Sequence, residues 1–185
     1  MLDKSLEKQE NQHRFFEIQR PCYTERYNSI IVMSQTETVV INAKLLRGGC
    51  HCGKVKIELG TAKSPTDFSP RACDCSFCLK HGASYISDPD GSLSIEVKGL
   101  DTISEYRQGS ESARFLVCRC CGILVAVVFD DGVSSYGAVN SRCIEGGVVF
   151  GALQAVSPQK LGGEEKRSRW AKLWTPRVKL KVSGT

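Results

Sequence analysis

The sequence has no run of apolar residues near the roughly 18 that a membrane-spanning helix needs, which argues against a helical membrane span. A secretory leader is not expected in the opening residues either: they hold Asp3, Glu7 and Glu10, and no apolar core follows them. Residues 1–34 neither repeat nor keep a clean period, and the alternation of strands with helical patterns that marks a βαβ protein is absent from the chain. Acidic residues are scarce in one place only. Residues 1–46 carry six basic and six acidic groups, 47–150 eleven and twelve, and 151–185 eight and two, so the net charge of +5 belongs to the tail.

What the sequence has in quantity is cysteine, ten in 185 residues. A chain without a leader is expected in a reducing compartment, the cytoplasm, where clustered thiols hold metal more often than they form disulfides. The hydrophobic share of 41% suits one globular domain with a real core.

Residues 1–38 are polar and mixed in charge. They read as an extension outside the domain, with Met33 a candidate natural start, and the first strand pattern is Thr38–Ile41. A single domain is expected over 39–183. Alternation in Lys54–Leu59 predicts a half-buried strand leaving the turn Cys50-His51-Cys52-Gly53. Short strands are expected at 84–86, 93–97, 103–106, 114–117, 134–139 and 148–150, with turn signals between them. The apolar, β-branched run 123–129 reads as the central buried strand.

In the tail, 151–183, acids precede cations over 164–174, and Trp170, Leu173 and Trp174 fall on one face. That pattern predicts a docked helix. Alternation over 178–182 predicts a final strand. The tail's cations thus read as the solvated side of a helix and strand rather than a nucleic-acid patch. The fold class expected is mainly β: several short antiparallel strands, one C-terminal helix and a last strand.

Seven thiols form three groups, Cys50 with Cys52, then Cys73, Cys75 and Cys78, then Cys118 and Cys121. Two pairs make four, and four thiolates close a tetrahedral zinc; three leave a position open to water or substrate. The economical partition is a structural zinc on Cys50, Cys52, Cys118 and Cys121 and a reactive one on Cys73, Cys75 and Cys78. Both outer pairs end in Cys-Gly, at Gly53 and Gly122, where glycine lets the chain turn behind the metal. Of the other three, Cys22 lies in the extension, and Cys120 and Cys143 are left over in the domain. Arg71, Lys80 and His81 are the cations that neighbour the middle group in sequence. A thiol–disulfide motif at Cys75-x-x-Cys78 or Cys118-x-x-Cys121 would be expected beside a βαβ unit, and none is present.

Gly48-Gly49-Cys50-His51-Cys52-Gly53, Cys73-Asp74-Cys75-Ser76-Phe77-Cys78, Cys118-x-x-Cys121-Gly122 and Val139-Asn140-Ser141-Arg142-Cys143 together resemble the glutathione-dependent formaldehyde-activating enzyme family, which shares its domain with centromere protein V. The resemblance spans about residues 45–150. It implies an Mss4-like β fold with two zinc ions per chain, the one on Cys73, Cys75 and Cys78 being catalytic. It also implies carbon–sulfur lyase chemistry on the adduct of a small-molecule thiol, such as glutathione, with an aldehyde. A non-catalytic, zinc-stabilised module for protein interaction is the other reading. No membrane or nucleic-acid partner is expected, and a homo-oligomer is compatible with the sequence.

Overall fold

The structure, a computed structural model, describes residues 44–184; the extension 1–38, the start at Met33 and the strand at 38–41 lie outside the described residues. Among the described residues the protein is mostly β, with eleven strands in two sheets and two helices, only one of them longer than two turns. The smaller sheet contains β1 (Lys44–Gly49), β2 (Val55–Thr61), β5 (Ser92–Lys98) and β11 (Val178–Ser183), in the order β1-β2-β5-β11. The larger one holds β3 (Arg71–Cys73), β4 (Ser84–Ile86), β6 (Ile103–Tyr106), β7 (Ala113–Cys118), β8 (Leu124–Asp130), β9 (Ser135–Asn140) and β10 (Gln154–Val156). Its order is β10-β3-β4-β9-β8-β7-β6.

The alternation read in β2 is real. Val55, Ile57, Leu59 and Thr61 are buried and the residues between them are not, so that face packs with Leu93, Ile95 and Val97 of β5 in the core. Six of the seven residues of β8 are buried because both of its faces are covered. Ala126 and Val128 join the core with β2 and β5, whereas Val127 and Phe129 pack with Trp170 and Trp174. Leu116 pairs with Ala126 but Val117 with Leu124, so Val125 is an extra residue in the ladder. This bulge reverses the side-chain phase and sends Leu124 to the tryptophan side.

The helix α2 (Gly163–Leu173) docks on β8 through Trp170, 5.3 Å from Phe129 between ring centroids and 5.0 Å from Trp174. Its C-terminus is latched. The Ser87 hydroxyl donates to the Leu173 carbonyl at 2.6 Å, the Asp88 N–H donates to Thr175 Oγ1, and Thr175 exchanges backbone bonds with Gly137. These bonds satisfy carbonyl and amide groups that the helix end would otherwise orphan.

The structure corrects several sequence expectations. Residues 148–150 are not a strand; β10 comes later, at Gln154–Val156. The sheets are not wholly antiparallel, because β11 runs parallel to β5 and β10 parallel to β3. In β11 only Val178 reaches the core, and Leu180 and Val182 are exposed. β1, β3 and the one-turn helix α1 (Ser76–Lys80) were not anticipated. No helix among the described residues is long and apolar enough to cross a membrane.

Candidate metal centres

The first thiol group joins the two sheets. Cys50 and Cys52 lie in the β1–β2 turn of the smaller sheet, Cys118 and Cys121 in the β7–β8 turn of the larger, and all four Sγ atoms fall within 4.8 Å of one another. Cys50 and Cys52 are 3.5 Å apart, Cys52 and Cys118 3.6 Å. An ion bound tetrahedrally at about 2.3 Å from sulfur would separate its ligands by roughly 3.8 Å, so these four could hold one with little movement.

The two turns are built alike. The Cys50 N–H donates to Val55 O and the Cys118 N–H to Ile123 O, and Gly53 and Gly122 share a φ of 73°, a left-handed value that suits glycine. These turns aim backbone N–H groups at sulfur: Val55 donates to Cys50 Sγ at 3.3 Å, Lys54 to Cys52, and Ile123 to Cys121. Burial pushes the Cys118 thiol up to about 12. Burial also opposes ionisation of Cys121, but the N–H groups of Ile123 and Cys52 outweigh it and bring that thiol down to about 6.

The second group, Cys73, Cys75 and Cys78, also has its Sγ atoms within 4.8 Å of one another, and among the described residues no His, Cys, Asp or Glu completes it to four. Cys73 ends β3, Cys75 caps α1, and Cys78 lies inside that helix, so a strand end and a helical turn point three sulfurs inward. Two neighbours that the sequence did not reveal fix them. Gln108, in the β6–β7 connection, donates its Nε2–H to Cys75 Sγ at 3.2 Å, and the Tyr85 hydroxyl hydrogen-bonds Cys78 Sγ at 3.3 Å. Neither adjoins a cysteine in sequence, so spacing carried no sign of them.

The hydrogen bond between Cys78 and Cys73 splits the pair's acidities. It lowers the Cys73 thiol to about 6 and raises Cys78 far above the usual thiol range, with burial adding to the rise. Burial likewise keeps the Tyr85 phenol protonated. Loading a cation on this group at pH 7 must therefore strip the Cys78 proton, and a pH-indicator titration should show at least about one proton released per ion. Between pH 8 and 6 affinity should fall at least about tenfold per unit, and more steeply below 6, where Cys73 must also lose a proton.

These sulfurs line a cavity of about 230 Å³ between the larger sheet and α2. Tyr85, Phe115, Val127, Trp170 and Trp174 give it apolar walls. Of the three cations adjacent in sequence, only Arg71 lines it; Lys80 is exposed, and His81 lies against Phe77 with ring centroids 4.6 Å apart. Lys166 and Arg169 of α2 join Arg71 instead, so the tail's charge is not all on the solvated side.

Among the described residues, Cys120 and Cys143 stay outside both groups. Cys120 is exposed, and Lys54 hydrogen-bonds it. Cys143 is buried, its thiol pushed up to about 12 by burial, and donates to Leu124 O. The surrounding segment 140–145 ties the cysteine loops together. Asn140 Nδ2 donates to Leu124 O, Arg142 Nε to Gly82 O, the Glu145 N–H to Arg47 O, and Gly48 bridges to Ile144.

The fold and the two sites define a mainly β protein with one four-thiol and one three-thiol group, each able to hold a metal ion. No family model matches the chain. It is similar to a Rhodobacter sphaeroides protein whose crystal structure was a structural-genomics target: the two are 29% identical, the match covers 60% of this chain and 100% of that one, and the TM-score is 0.47.

Proposed function

We propose that the protein is a zinc-dependent carbon–sulfur lyase acting on the adduct of a thiol with a small aldehyde, in the manner of the glutathione-dependent formaldehyde-activating enzymes. An Mss4-like fold goes with that reading. The observation that carries it is the unequal pair of thiol groups, one with four sulfurs joining the sheets and one with three sulfurs on the wall of a cavity. All-thiolate donors favour zinc among common divalent ions in a reducing compartment.

Cys73, Cys75 and Cys78 would hold the reactive ion, which when bound keeps a ligated thiol ionised at neutral pH. Gln108 and Tyr85 lock two of these sulfurs through their hydrogen bonds, so the site needs little reorganisation when substrate arrives. Trp170, Trp174 and Phe115 give the cavity an apolar lining that would contact the aldehyde and leave it less hydrated than in bulk water. In the forming direction the thiolate sulfur attacks the carbonyl carbon. A C–S bond forms, the C=O π pair moves to oxygen, and that oxygen takes a proton from solvent. The lyase direction reverses each movement, returning aldehyde and thiol.

The test is to incubate zinc-loaded protein with formaldehyde and a panel of low-molecular-weight thiols and to follow adduct formation by NMR exchange spectroscopy, with zinc counted in parallel. Two zinc ions per chain and accelerated exchange with at least one thiol are expected. One zinc per chain and no acceleration would make the protein a zinc-stabilised binding module.

A further inference from the structure

The cavity wall gathers three cationic side chains and no carboxylate. Arg71, Lys166 and Arg169 line it, and no Asp or Glu does. Among the described residues the ion pairs engage Arg47, Lys63 and Arg114, never these three. Such an arrangement costs folding free energy unless a ligand offsets it, and it clusters at functional sites.

The cations are also aimed. Lys166 and Arg169 are three residues apart on α2 and so lie side by side, Lys166 one turn before Trp170 and Arg169 adjoining it. Arg71 donates from Nη2 to Ser87 Oγ at 2.6 Å, and that hydroxyl donates onward to Leu173 O. One guanidinium donor is thus spent on orientation, and the others remain for a ligand.

We propose that the thiol taken by this site carries its own acid group: a short mercapto-carboxylic acid, with its sulfur at Cys73, Cys75 and Cys78 and its carboxylate among Arg71, Lys166 and Arg169. The inference rests on the thiol–aldehyde reading above and names its substrate class. A cavity of about 230 Å³ is below the usual 300–1,000 Å³ of drug-sized sites, so it suits a small ligand. A tripeptide thiol would extend beyond it. The apolar walls fit a short methylene stem, and an arginine fork fits a carboxylate.

Trp170 and Trp174 are the only tryptophans in the chain and both line the cavity, so intrinsic fluorescence reports on this site alone. The zinc-loaded full chain is titrated with 3-mercaptopropanoate, with neutral 3-mercaptopropanol and with propanoate. The acidic thiol should bind about tenfold or more tighter than the neutral one, and Lys166→Met with Arg169→Met should shrink that ratio to within about twofold. Lys166→Met alone, at a half-exposed position, should shrink it in part. Equal affinities in the native protein, or a ratio that survives both substitutions, would overturn the acid requirement and leave the thiol–aldehyde reading standing. Propanoate binding with no response to either thiol would overturn the thiol assignment together with that reading, and no response to any of the three probes would overturn both.

Discussion

Cys118→Ser should abolish cooperative unfolding, whereas Cys75→Ser should lower the melting temperature by only a few degrees. The asymmetry follows from where each group sits. Cys118 and Cys121 share their group with Cys50 and Cys52 across the junction of the two sheets, so removing one sulfur loosens the contact that holds sheet to sheet. Binding energies of about 10–16 kcal/mol at structural thiolate sites match or exceed the 5–15 kcal/mol of a whole domain's stability. Cys75 belongs to a group inside the larger sheet and α1, beside a cavity, and no element depends on it for attachment to another sheet. Circular dichroism melts of both variants, with zinc content measured alongside, check this. Equal collapse of the two would mean that the three-sulfur group is as structural as the four-sulfur one.

Gly48→Ala should rank next, costing on the order of 3 kcal/mol or more by chemical denaturation. A Cβ at Gly48 would lie 1.9 Å from the Cys143 carbonyl oxygen and 2.8 Å from Ile144 Cα, both backbone atoms held by the bridge from Gly48 to Ile144. Neither can swing away as a side chain would. Gly122→Ala is the informative contrast, because nothing lies within 4 Å of its added Cβ and only the left-handed φ of 73° is strained. Its cost should be near 1 kcal/mol. A Gly48→Ala variant as stable as wild type would mean that the 140–145 segment yields easily.

The cysteine groups were legible because metal ligation imposes local spacing, and C-x-C-x-x-C or C-x-x-C survives in the sequence whatever the fold does around it. β8 was legible through its unbroken apolar run, and α2 through the face shared by Trp170 and Trp174. β3 and β10 are only three residues long, too short to show a period, and 148–150 had the composition of a strand without a partner to pair with. The parallel pairing of β11 with β5 depends on where α2 leaves the chain, which no local pattern records. The cavity's charge was misjudged for a similar reason: sequence neighbours Lys80 and His81 point elsewhere, while Lys166 and Arg169 arrive from the tail.

The position of α2 in the chain sets an order of assembly. Every cysteine of the two groups lies at or before Cys121, whereas the helix that covers the three-sulfur cavity begins at Gly163, and β11, which completes the smaller sheet, begins at Val178. During synthesis the ligating turns therefore emerge first, with Cys73, Cys75 and Cys78 open to solvent, and the tryptophan-bearing helix latches to Ser87 and Gly137 only afterwards. Metal reaches the uncovered thiols more readily than it reaches them through the finished cavity. A protein assembled in metal-poor medium should consequently reload its three-sulfur group past α2, more slowly than the uncovered thiols of a growing chain take up the ion.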